Sequence, residues 1–161
     1  MVGMPIISGK IGDHCYHGLC DMGASASAIP YDLYKEIMHD IAPVELEDID
    51  VTIKLANRDT IKPFGVVRDV EVLCGKVKYP ADFLVLSSPQ DDFCPIIFGR
   101  PFLNTVNARI DCGKDTIAIG FEDVSHEFNF AKFHRQPRDR ESPSKDEILV
   151  LLPLPYHLLI R

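Results

Sequence analysis

From Val44 to Leu86 the chain reads as extended structure throughout, and no other stretch restricts the fold as much. Val51, Ile53 and Leu55 alternate with polar partners, the two-residue period of a half-buried strand. The polar run Asn57-Arg58-Asp59 and then Ile61 to Val67 predict a hairpin with an exposed tip. Val70 to Cys74, a Gly75-Lys76 turn and Val77 to Tyr79 predict a second hairpin, and Ala81 to Leu86 continues as an apolar strand. Ser87 to Asp92 is a loop by composition.

The flanks extend the same pattern. Met4 to Ile11 reads as a strand, with Pro5 limiting it to an edge or a first position. Gly12-Asp13-His14 is a turn signal, and Cys15 to Cys20 returns as the second strand of a hairpin. Pro30 to His39 predicts a short helix, with Leu33 and Ile37, and Tyr34 and Met38, one turn apart. Cys94 to Arg100 is a buried-strand run closed by Gly99, and Pro101 to Thr105 starts a second short helix. Ala108 to Asp111 and Thr116 to Ile119 predict a further hairpin, and Glu127 to Phe133 a last strand with Phe128 and Phe130 on one face.

The 161 residues suffice for one domain with a real core. Its expected limits are 1–134. Residues 135–147 are polar, charged and Pro-containing, and read as a linker. Residues 148–161 form an apolar tail, too short to span a bilayer and interrupted by Pro153 and Pro155, that either packs on the domain or is a piece of chain cut from a larger product. A net charge of −7 argues against a general nucleic-acid-binding role. Five cysteines at scattered positions do not form a disulfide framework and fit a reducing compartment. The first residues lack the basic-then-apolar layout of a signal peptide, so no membrane association is expected.

Chemistry concentrates at Leu19-Cys20-Asp21-Met22-Gly23-Ala24-Ser25. One carboxylate follows a short apolar run, Gly23 lets the backbone turn where a Cβ would clash, and Ala24 and Ser25 keep the space around Asp21 open. Such a loop can present a carboxylate at a cleft, or can hold an ordinary turn aspartate that bonds its own backbone two residues on. A lone aspartate in water is a weak base. Two held about 3 Å apart cannot both ionise and share one proton, so that one activates a water while the other polarises a peptide carbonyl. The chain offers one convincing copy of the loop, and a two-fold homodimer would bring the second to the axis.

Three features in this order resemble the retropepsins, the dimeric aspartic proteases of retroviruses and long-terminal-repeat retrotransposons. Asp21-Met22-Gly23-Ala24-Ser25 stands for the family's Asp-Thr/Ser-Gly-Ala. Pro95-Ile96-Ile97-Phe98-Gly99-Arg100-Pro101-Phe102-Leu103 is similar to its apolar-apolar-Gly-Arg segment ahead of a short helix. A flap-like hairpin around Asn57 to Lys62 lies between them. The Gly-Arg-Pro-Phe-Leu variant looks like that of plant gypsy-class retrotransposon proteases, His126-Glu127-Phe128-Asn129-Phe130 looks like the segment after the protease in their polyproteins, and the resemblance covers roughly residues 3–120.

The resemblance implies an all-β fold, a retropepsin-like closed acid-protease barrel with one short C-terminal-side helix, forming half of a dimeric active site. It implies Asp21 as the catalytic residue and Met22, Gly23, Ala24 and Ser25 as the active-site loop. Ala56, Asn57, Arg58, Asp59 and Thr60 would form the substrate-binding flap, and Ile97, Phe98, Gly99 and Arg100 would support the loop. The implied partners are a second copy of the chain and a peptide or polyprotein substrate, its own Gag-Pol precursor, with no cofactor and no metal. The implied setting is the cytoplasm, including virus-like particles. Met22 departs from the family's Thr or Ser, whose hydroxyl bonds across the dimer beneath the aspartates, and a thioether cannot donate that bond. That departure favours an alternative reading, a catalytically impaired dimerisation or peptide-binding domain. The flap tip also lacks the glycines of retroviral flaps.

Three rival motifs compete for the chemistry. Gly23-Ala24-Ser25-Ala26-Ser27 nearly matches the G-x-S-x-G elbow of serine hydrolases, but its fifth position is Ser and no α/β series surrounds it. His14, Cys15, His17 and Cys20 fall along one strand whose alternate residues face opposite ways, which favours structural roles over zinc. Asp111-Cys112-Gly113 is a second Asp-x-Gly, flanked by Arg109 and Lys114 rather than small residues, and reads as a hairpin turn. Arg100 is expected to act as a structural ion-pair partner.

Overall fold

A computed structural model describes residues 3–41, 45–55, 58–87, 94–132 and 158–159. Six strands close into a barrel in the order β1-β2-β8-β3-β7-β6. Its members are β1 (Ile6–Ile11), β2 (His14–Cys20), β3 (Ser27–Pro30), β6 (Gly65–Cys74), β7 (Val77–Leu86) and β8 (Ile96–Phe98). The chain is mostly β, with two helices among the described residues, α1 (Tyr31–Asp40) and α2 (Arg100–Thr105), and a single 3-10 turn at Glu122–Val124.

The first hairpin forms where the sequence places it. β1 and β2 pair antiparallel from Ile6 opposite Leu19 to Ile11 opposite His14. Gly12 supplies the left-handed residue of the turn, φ 58°. The strand starts at Ile6 rather than Met4. Met4 instead exchanges 2.9 Å backbone hydrogen bonds with Ala131, which ties the late chain to the barrel.

β6 and β7 form the longest hairpin, and each is one continuous strand where the sequence predicts two. The expected break in β6 is a bulge between Val67 and Val70. Asp69 takes φ 53° there and donates its N–H to Asp82 Oδ1 at 2.9 Å. β7 runs through Pro80, which faces Glu71 of β6. The other neighbour of β7, strand β3, pairs only from Phe83 onward, so the missing N–H of Pro80 costs no ladder bond to it.

β4 (Ile53–Leu55) and β5 (Thr60–Ile61) form a short hairpin outside the barrel. The return strand ends at Ile61 rather than continuing to Val67. Val66 exchanges 2.9 Å backbone bonds with Glu47 and so belongs to the next element. β9 (Arg109–Asp111), β10 (Thr116–Ile119) and β11 (His126–Asn129) make a separate three-stranded sheet. β12 (Leu158–Leu159) pairs with β4.

The core fills the barrel with Ile7, Val67, Val72, Phe83, Ile96 and Phe98, each fully buried. α1 covers one side through Leu33 and Ile37, one turn apart and buried. It begins at Tyr31 because Pro30 is still extended (φ −71°, ψ 153°) as the last residue of β3. Residues 135–147, most of 148–161, the loop from Ser88 to Asp92, and Phe133 lie outside the described residues.

Candidate active site

Strand β8 creates the site. It lies parallel to β2 (Gly18 to Cys20 opposite Ile96 to Phe98) and antiparallel to β3 at Ala28 and Ile97. The loop joining β2 to β3, residues 21–26, therefore crosses the end of β8 and is pinned by it. Asp21 donates its N–H to the Phe98 carbonyl at 2.9 Å, and Arg100 donates its N–H to the Ala24 carbonyl at 2.9 Å. Gly99 donates its N–H to Ser27 Oγ at 3.0 Å, and Ser27 is buried.

Two glycines permit this close crossing. A Cβ at Gly99 would collide with the Ala26 carbonyl and lie 3.0 Å from the Ala24 oxygen. A Cβ at Gly18 would collide with the Phe98 ring. That ring stacks on Phe102 of α2 at 4.2 Å between centroids, so barrel, β8 and helix are packed as one body beneath the loop.

On this platform Asp21 is half-exposed, Ala24 is completely buried, and Met22 is 59% exposed. Asp21 Oδ1 accepts the Gly23 N–H at 2.8 Å, and the Ala24 N–H closes the turn on the Asp21 carbonyl at 3.2 Å. One carboxylate oxygen is thus held by the backbone, and the loop that carries it is bonded to β8 and to the start of α2. Gly23 is exposed and Ser25 half-buried. Among the loop-support residues Ile97 and Phe98 are buried, whereas Arg100 acts through its backbone. The Arg100 side chain is exposed and makes no ion pair among the described residues, in place of the pairing the sequence predicts.

β4 packs over the loop. Ile53 and Leu55 share one buried cluster with Ala24, Ala28 and Ile97. The hairpin turn at its far end carries Arg58 in the left-handed region (φ 72°), its N–H donated to the Leu55 carbonyl at 3.0 Å. Arg58, Asp59 and Thr60 are exposed, while Ala56 and Asn57 lie outside the described residues. A cavity of about 550 Å³ opens beside the loop, lined among others by Ser25, Ser27, Ile49, Ile53, Arg68 and Phe102. At its rim Arg68 bonds Glu47 (Nε to Oε2, 2.7 Å) and approaches Asp82 (3.4 Å).

The second Asp-x-Gly has the same local bond in a different setting. Asp111 Oδ1 accepts the N–H groups of Gly113 and Lys114, each at 3.0 Å, in the turn between β9 and β10. The Lys114 N–H, together with its ammonium and the Gly113 N–H, holds this carboxyl below its ordinary range. No strand pins that turn as β8 pins Asp21. Of the four residues weighed against zinc, Cys20 is buried, Cys15 is exposed, and His17 Nδ1 lies 2.9 Å from Ser8 Oγ. No group of three or more metal-ligating side chains comes together among the described residues.

The overall fold has a counterpart among solved structures. The retroviral protease-like domain of Ddi1 from Leishmania major superposes with a TM-score of 0.57, covering 84% of this chain and all of that domain at 18% identity. The fold is retropepsin-like. The likeness is one of architecture, since fewer than one residue in five is shared. No family profile matches the sequence, and no curated protein sequence matches it.

Sequence reasoning missed Ser27 and strand β3. Ser27-Ala28-Ile29-Pro30 is buried at all four positions, so it lacks the alternation that marks a half-exposed strand. Its only signal is the unbroken run of small and apolar residues after Ser25.

Proposed function

We propose that this chain is an aspartic endopeptidase that works as a homodimer, each copy contributing Asp21. The observation that carries the reading is the rigid presentation of a half-exposed Asp21 by the β8 crossing in a retropepsin-like fold. With two such carboxylates close together and sharing one proton, the ionised one takes a proton from water. The water oxygen bonds to the peptide carbonyl carbon while the protonated partner donates to the carbonyl oxygen. The C–N bond then breaks as the nitrogen takes up a proton, and the shared-proton state returns. The β4–β5 hairpin would close over the peptide and exclude water. The substrate class is an extended peptide, and the retrotransposon Gag-Pol precursor is the substrate that the motif resemblance favours. The intracellular setting follows from that substrate.

The test is peptidase activity of the wild type against Asp21→Asn, at concentrations high enough to populate dimers and at mildly acidic pH. Turnover in the wild type that falls by at least about a thousandfold in the variant supports the reading. Equal turnover in both chains overturns it. Asn keeps an oxygen that can accept the Gly23 N–H, so the fold should survive the change.

Met22 favours a second reading, a protease-like domain that dimerises or binds peptides without cleaving them. Peptide binding by the wild type with no turnover at any pH would select it.

A further inference from the structure

Residues 158 and 159 pair antiparallel with β4, Leu158 opposite Leu55 and Leu159 opposite Lys54. β4 is thereby the middle strand of a three-stranded sheet, β12-β4-β5. Hydrogen bonds show which edge is used. Leu55 donates its N–H to Asp59 and accepts from Arg58, so both its backbone groups face β5. Successive strand residues point their backbone groups to opposite edges, so those of Lys54 face away from β5, where Leu159 lies. This edge is close to the chemistry, because Ile53 and Leu55 pack in the same cluster as Ala24 of the Asp21 loop.

We propose that the outer edge of β4 is a docking edge for extended apolar peptide, and that its resident occupant is this chain's own strand Leu158–Leu159, which an incoming peptide must displace. The sequence around the strand is suited to the edge. Residues 148–161 carry Ile, Leu and Val at most positions, and the described pair Leu158–Leu159 is already seated as a strand. Strand addition of this kind draws its affinity from main-chain bonds, so it tolerates many sequences. A tethered occupant competes at an effective concentration on the order of millimolar, enough to raise the apparent KM of a weakly bound peptide without changing kcat. The docking stands on the strand pairing alone, while its effect on turnover rests on the peptidase reading above.

The experiment compares the full wild-type chain with Leu159→Pro and Leu159→Ala. Proline removes the N–H that faces Lys54, while alanine keeps it. Hydrogen exchange of the Lys54 amide is followed by NMR, with Val72 in the barrel as the control for folding. Lys54 should exchange on the order of tenfold faster in Leu159→Pro, with wild type and Leu159→Ala alike and Val72 unchanged in all three. On a peptide substrate, Leu159→Pro should show a KM lower by on the order of tenfold at unchanged kcat. Equal Lys54 exchange in the three chains overturns the docking, and protection that disappears on dilution overturns the chain's own segment as occupant. Lost protection with unchanged KM overturns the displacement by substrate. Lost protection with no turnover in any chain leaves the docking intact and removes the peptidase reading instead.

Discussion

The N–H of Arg100 donates to the carbonyl of Ala24 at 2.9 Å, joining the first turn of α2 to the middle of the Asp21 loop. Ala24 is fully buried, so this bond is shielded from water and cannot be exchanged cheaply for a solvent contact. Together with the Asp21–Phe98 bond, it makes the loop an extension of the barrel rather than a surface turn. The arginine side chain is not needed for the tie, whereas the glycine before it is.

Gly99→Ala should therefore be among the most damaging single-atom additions in the chain. The added Cβ meets backbone, the Ala26 carbonyl, which cannot rotate away as a side chain would. A loss of about 2–4 kcal/mol is expected, with the melting temperature lower by about 5–10 °C. Urea unfolding monitored by circular dichroism measures it. A change below about 0.5 kcal/mol, the range of ordinary surface substitutions, would refute the account of the crossing.

The cysteines should divide by burial. Cys15 and Cys112 are exposed, and Cys20, Cys74 and Cys94 are buried. Burial, with the neighbouring Cys94 and Cys74, pushes the Cys20 thiol far up, and burial pushes Cys74 up to about 12. The thiolate is the reacting form, so an aromatic disulfide reagent at about pH 8 should titrate two thiols quickly and the other three only on unfolding. A third fast equivalent would show that the barrel wall opens more readily than its packing implies.

Arg68 makes a specific pH prediction. Its guanidinium bonds Glu47 and, through that bond first and its charge second, holds the Glu47 carboxyl below the ordinary 4.5. A carboxyl depressed in the folded state adds stability above its unfolded value, and that stability is lost as pH falls through the folded value. Arg68→Ala should thus be less stable than the wild type at neutral pH, with the gap closing below pH 4.5. Both groups are solvent-exposed, so the gap is small and shrinks further in salt. Thermal melts of both chains across this range, at low and high salt, read it directly.

Much of the fold is legible in the sequence because most strands bury one face. The β1–β2 and β6–β7 hairpins follow from Gly12 and Gly75 at turns between apolar runs. β3 is not legible, since a strand buried on both faces looks like any short apolar run. The bulge at Asp69 reads as a chain break because a polar Arg68-Asp69 pair is the ordinary mark of a turn. The Asp21 loop alone reads equally as an ordinary turn aspartate, and it is the Gly99-Arg100 segment about 75 residues later that sets it apart. The bond from Gly99 to Ser27 is not legible, because it spans 72 residues and uses a serine indistinguishable from its neighbours. Likewise nothing in an apolar stretch at 148–160 indicates that Leu158–Leu159 would meet β4.

Met22 poses two opposed effects that can be separated by concentration. It is 59% exposed beside Asp21, so in a single chain Met22→Thr should change stability by less than about 0.5 kcal/mol. In the proposed dimer the side chain would be covered. Burying methionine then contributes about 1.5–3 kcal/mol, more than the 0.5–1.5 kcal/mol of one hydroxyl hydrogen bond. Threonine should consequently weaken association by about 1 kcal/mol per chain, about 2 kcal/mol for the dimer and roughly thirtyfold in Kd. The same hydroxyl can donate a bond that sulfur cannot, and so hold the paired loops more firmly. Peptidase activity per chain should be lower for Met22→Thr at dilute protein and higher at saturating protein, so the two concentration curves cross. Curves that keep their order at every concentration would mean that Met22 does not lie at the contact between the two copies.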